Sequence, residues 1–72
     1  MDYVDMGKRV RKQRQLIGLT QQELAERIGV STSFVGHVER GTRKASLETV
    51  INIANALGVS ADTEPVQDAQ KS

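Results

Sequence analysis

The side chains able to do chemistry in this 72-residue chain are chiefly charged, ten Lys and Arg against nine Asp and Glu, and they are unevenly placed. Between Met6 and Ala61 stand Lys8, Arg9, Arg11, Lys12, Arg14, Arg27, Arg40, Arg43 and Lys44. Set against Glu23, Glu26, Glu39 and Glu48, these nine bases and four acids leave a local charge of +5. The ends carry Asp2, Asp5, Asp62, Glu64 and Asp68 against Lys71 alone, a charge of −4, so the formal net charge is only +1. A basic body with acidic ends is the footprint of a polyanion binder, and it fits a solvated charged surface equally well. Catalysis has fewer means. His37 is the one histidine and there is no cysteine, so no nucleophile–base pair, disulfide or thiolate metal site can be assembled. A zinc site would have to rely on several carboxylates in place of the usual nitrogen and sulfur ligands. No glycine-rich phosphate loop is present. The reading is of a protein that is not an enzyme and has no catalytic residues, metal or cofactor.

Four helical patterns must position these groups. Met6, Val10 and Ile17 fall on one face of a first helix running from about Val4 to Ile17, with bases on its other faces and Gly18 as its stop. Thr20-Gln21-Gln22-Glu23 is a capping box, a threonine cap with a glutamate three residues on that reaches back to it. It opens a short second helix with Leu24, Ala25 and Ile28 as the buried stripe, and Leu19 against Leu24 as a hydrophobic staple. Gly29 ends it. Ser31 caps a third helix bearing Val35 and Val38, ended by Gly41. Ser46 caps a fourth, with Leu47, Val50, Ile51, Ala54 and Leu57 as the expected stripe, Ile53 at its margin and Gly58 as its stop.

After Ser60 the pattern fails. Residues 61–72 hold too few apolar side chains to pack, and Pro65 interrupts any longer helix. The expected organisation is a folded domain over 1–60 and an acidic, mobile tail over 61–72. No apolar run approaches the roughly 20 residues that cross a bilayer. The first residues carry two acids and no apolar stretch, which argues against a secretory signal, so the expected setting is cytoplasmic with no membrane partner.

Two short helices joined by Ile28-Gly29-Val30-Ser31 have the anatomy of a helix-turn-helix: Ala25 permits a close crossing, Gly29 a left-handed turn, and Val30 fills the corner. An ordinary helical hairpin has the same spacing. The run GLTQQELAERIGVSTSFVGHVERG, followed by SLETVINIANALGVS, narrows the choice. It resembles the phage-repressor/Cro, or XRE-type, family over about Met6 to Ser60. The resemblance implies an all-α, compact repressor-like domain of four to five helices, with the helix-turn-helix at helices 2 and 3. It also implies sequence-specific binding of double-stranded DNA by insertion of helix 3, about residues 31–40, into the major groove. The implied role is transcriptional regulation, repression before activation.

The resemblance also places residues. Thr32, Ser33, Gly36 and His37 take the base-reading positions of helix 3. Hydroxyls discriminate weakly, the Thr32 methyl suits thymine, and His37 suits a guanine or a phosphate. Gln21 would meet the DNA backbone from the start of helix 2, and Arg43, Lys44 and Arg11 would also lie on phosphates. Arg14 would pair with Glu39 as a structural ion pair. The chain departs from the family after ALGVS, where Ala61-Asp62-Thr63-Glu64-Pro65 stands in place of a leucine-bearing fifth helix. Homodimerisation on a palindromic operator is therefore an open expectation. A protein-interaction module on the same fold is the competing function, and an exposed Ile51 or Ile53 would favour such a protein partner. The hydrogen-bonding face of helix 3 and its flanking bases favour DNA.

Overall fold

In the computed structural model, which describes residues 2–59, the chain forms four helices: α1 (Tyr3–Leu16), α2 (Gln21–Ile28), α3 (Thr32–Arg40) and α4 (Leu47–Leu57). Each begins on a side chain that satisfies backbone N–H groups left over by the first turn. Asp2 Oδ1 accepts from Val4 and Asp5 at 3.0 and 3.1 Å. Ser31 Oγ accepts from Phe34 N at 3.1 Å and Ser46 Oγ from Thr49 N at 3.2 Å. The capping box on α2 is reciprocal: Glu23 N donates to Thr20 Oγ1 at 3.0 Å and Thr20 N donates to Glu23 Oε1 at 2.8 Å. The Thr20 backbone and hydroxyl bonds hold the Glu23 carboxyl below its ordinary pKa.

The turn between α2 and α3 depends on Gly29. At φ 76° it lies in the left-handed region, and the N–H groups of both Gly29 and Val30 return to Ala25 O at 2.9 and 3.0 Å. Val30 then packs into the corner against the core.

The core is small, as a chain of this length requires. Leu24, Ala25, Val35, Val38, Ile53 and Leu57 are buried together, with Met6, Val10, Leu19, Ile28 and Phe34 closing over them. α3 lies against both α1 and α2, while α4 covers the side of α2 and touches α1. α1 and α3 meet at Gly7. A Cβ there would sit 2.5 Å from Glu39 O and also against Val38 O, so the helices approach backbone to backbone.

Two expected apolar stripes differ from those observed. Ile17 follows α1 as its C-cap and is 43% exposed; the helix instead buries Gly7 and Arg14, with Met6 and Val10 half-covered. In α4 the stripe is rotated. Ile53 is buried with Ala54 and Leu57, whereas Leu47 and Ile51 are 74% and 40% exposed. Val50, Ile53, Ala54 and Leu57 share one arc of the helix, and Leu47 and Ile51 fall to its side. The expected acidic tail, the boundary at residue 60 and the question of a fifth helix lie outside the described residues. Among those described, no helix is long and apolar enough to cross a membrane.

Candidate nucleic-acid interface

α3 buries one side and opens the other. Val35, Val38 and Glu39 face inward. Ser33, His37 and Arg40, at spacings of four and three, occupy the opposite side. Thr32 and Ser33 are exposed at its N-terminal end. Neither hydroxyl is engaged by another side chain among the described residues, so both can bond to a ligand.

Glu39 is the only acid of α3, and it is turned inward and neutralised. Arg14 Nε donates to Glu39 Oε2 at 2.6 Å and Nη2 to Oε1 at 3.0 Å, a two-point contact across 25 positions of sequence. The two side chains are 9% and 2% exposed. Arg14 Nη1 also donates to Leu19 O at 2.7 Å, which ties the end of α1 to the approach to α2. The bonds to Glu39 raise the Arg14 pKa above its ordinary value, against the opposing effect of burial. The outward surface of α3 is thereby left without negative charge.

The other residues singled out from sequence are placed as follows. Gln21 is half-buried, and its Nε2 donates to Glu39 Oε1 at 3.0 Å, so this amide helps hold the ion pair instead of pointing wholly outward. A buried carboxylate has more lone pairs than Arg14 alone can fill, which explains the diversion. Gly36, expected among the base-reading positions, is buried. The Arg40 guanidinium lies over it, with Nη1 3.1 Å from where a Cβ would stand. Arg40 thus occupies the outer surface of α3 that Gly36 vacates, a residue that sequence reading passed over although the i, i+4 spacing was there to see.

His37 is half-buried, its Nδ1 2.8 Å from Thr42 Oγ1. Arg43 and Lys44 are exposed just beyond, with the Arg43 guanidinium carbon 5.9 Å from the centre of the Phe34 ring, which steadies that cation at the edge of α3. Arg11 is exposed on α1, four residues after Gly7 and three before Arg14, the two positions that face α3. It therefore flanks the seam between the helices. No cluster that could hold a metal ion occurs among the described residues.

A short helix crossed at a glycine turn by a second, solvent-open helix, with bases at its far end, defines a helix-turn-helix domain. The helix-turn-helix family model matches residues 10–63, and the chain belongs to that family. The family is one of DNA-binding transcription regulators and not of enzymes. An uncharacterized HTH-type transcriptional regulator of Bacillus subtilis, YazB, is 41% identical over 56 residues, 78% of this chain and 81% of that protein. An uncharacterized HTH-type transcriptional regulator of Mycobacterium tuberculosis is 45% identical over 56 residues. The match covers 78% of this chain but only 40% of the mycobacterial protein. The crystal structure of the restriction-modification controller protein C.AhdI from Aeromonas hydrophila superposes with a TM-score of 0.79 at 42% identity. That superposition covers 82% of this chain and 86% of the other.

Proposed function

We propose that the chain binds double-stranded DNA sequence-specifically by laying α3 in the major groove, and that it represses transcription by occupying its site. One observation carries this reading. α3 presents Thr32, Ser33, His37 and Arg40 outward, while its single acid is turned inward and neutralised by Arg14. The groove floor asks for hydrogen-bonding groups and the phosphates for positive charge, and this surface supplies both. Thr32, Ser33 and His37 face base edges. Gly36 lowers the helix surface beneath Arg40. Arg43, Lys44 and Arg11, with the free part of the Gln21 amide, lie along phosphates. Repression asks nothing of the chain beyond occupancy.

Leu47 and Ile51, exposed one turn apart on α4, support a second copy or another protein as an additional partner. A homodimer on a palindromic operator is the arrangement proposed. Selection of bound duplexes from random DNA tests both parts. A single enriched half-site, repeated with two-fold symmetry at a fixed spacing, is the expected result. Enrichment of no sequence would refute specific recognition, and an unrepeated half-site would refute the dimer.

A further inference from the structure

Thr42, immediately after the helix-ending Gly41, folds back on α3. Its Oγ1 lies 2.8 Å from His37 Nδ1 and 3.1 Å from His37 O. Its backbone N–H also returns to His37 O at 3.0 Å, so the threonine is held by main chain as well as side chain. A hydroxyl has one proton to donate, and a carbonyl oxygen can only accept. If that proton goes to Nδ1, the two oxygens face each other at 3.1 Å with lone pairs only. If it goes to His37 O, both contacts are satisfied, provided that Nδ1 carries a hydrogen and donates it to Oγ1. The geometry favours the second arrangement. In the neutral imidazole one ring nitrogen donates and the other accepts. A hydrogen on Nδ1 leaves Nε2 bare, and Nε2 diverges from the Thr42 side of the ring. Among the described residues nothing else bonds to it.

We propose that Thr42 sets the tautomer of His37, so that α3 presents Nε2 as a hydrogen-bond acceptor and His37 selects a base offering an amino group, adenine N6 or cytosine N4. This rests on the major-groove reading above. It reverses the partner first expected from sequence, because guanine shows only acceptors, N7 and O6, on its own groove edge. An acceptor facing them is repelled, whereas the other tautomer would bond them. Thr42 is in this sense a positioning residue: it touches no base and acts through the ring it orients.

The test has two arms. His37 is the only histidine, so its two ring nitrogens can be assigned without ambiguity by long-range ¹⁵N–¹H correlation in the free protein at mildly alkaline pH. Wild type and Thr42→Ser, which keeps the hydroxyl, are expected to show a protonated Nδ1 and a bare Nε2. Thr42→Val, of similar shape, is expected to release the ring to the Nε2–H form that free side chains favour, with an unchanged far-ultraviolet circular dichroism spectrum. In the second arm, the base pair read by His37 is the one whose preference disappears in His37→Ala. Wild type and Thr42→Ser should prefer adenine or cytosine there by about fivefold or more, and Thr42→Val should lose that preference or turn it toward guanine. A protonated Nε2 in the wild type, or a Thr42→Val variant with tautomer and base preference intact, would overturn the proposal. So would a His37→Ala variant that weakens every duplex alike. Failure of the underlying reading looks different: the wild type would then show no base preference at any position, whatever the tautomer in the free protein.

Discussion

The Arg14–Glu39 pair joins helices distant in sequence, and its removal should show how far α3 depends on α1. Replacing Glu39 by leucine would leave the Arg14 guanidinium, 9% exposed, with only the Leu19 carbonyl at 2.7 Å. Stranding one member of a buried pair costs about 3–5 kcal/mol. Arg14→Met would leave Glu39 with the Gln21 amide at 3.0 Å, a neutral donor that places this variant at the lower end of the range. A domain of this length has about 4–11 kcal/mol of stability in all, so either change removes a large share of it. The double variant buries no stranded charge. It should therefore be less destabilised than the sum of the single variants, with a coupling of about 2–3 kcal/mol against the roughly 0–1 of a surface pair. Because the chain has no tryptophan, urea unfolding at low temperature followed by far-ultraviolet circular dichroism is the suitable assay. The single variants should melt at least about 12 °C below wild type, since 1 kcal/mol is worth about 4–8 °C in a domain of this size. Additive effects across the cycle would refute the reasoning and reduce the pair to two independent side chains.

Other outcomes follow from single positions. Gly7→Ala places a Cβ against the Val38 and Glu39 carbonyls, which as backbone cannot swing aside. α1 and α3 must separate, at about 1–3 kcal/mol or more, and a urea midpoint equal to wild type would refute the close approach. Glu23 titrates below its ordinary value in the folded chain, so its charge stabilises the fold above the ordinary glutamate range, and that contribution is lost as pH falls through the lowered value. Glu23→Gln should therefore be less stable than wild type at neutral pH and converge with it in acid; a gap that is constant with pH would refute the charge contribution. Arg43→Ala should weaken cognate and random duplexes alike and reduce the slope of log affinity against log salt by about 0.9. Loss of specificity instead would make the loop after α3 a reader of bases.

How much of this was legible in the sequence depended on how local the cause was. Thr20, Ser31 and Ser46 announce their helices because a cap and its N–H groups lie within three residues. Gly29 announces the turn for a similar reason. The stripe of α4 was misjudged because its apolar residues cover more than one face. Which of Ile51 and Ile53 is buried is decided by α2 and α1, not by α4 itself. Gly7 reads in sequence as a weak spot in a helix, and only its contact with α3 explains it. The Arg14–Glu39 contact could be anticipated only through the family resemblance, since no spacing rule links residues 25 apart. Thr42 escaped because it lies beyond the end of α3 and returns to it through a turn.

The split of α3 into an inner and an outer surface also bears on how such a domain diverges. Thr32 and Ser33 are exposed and their hydroxyls make no hydrogen bond among the described residues, so substitutions there can accumulate without revision of the fold. Positions 36 and 40 are not free in the same way. An alanine at Gly36 needs the Arg40 guanidinium, 3.1 Å from the new Cβ, to give by only a few tenths of an ångström, whereas a larger side chain must displace it. Positions 37 and 42 are likewise bound to each other through one hydroxyl. On the proposed DNA-reading role of α3, changes of DNA target in descendants of this chain should come as single steps at 32 and 33, but as paired steps at 37 with 42 and, for side chains larger than alanine, at 36 with 40. The same substitution at 37 would have opposite effects according to what already stands at 42.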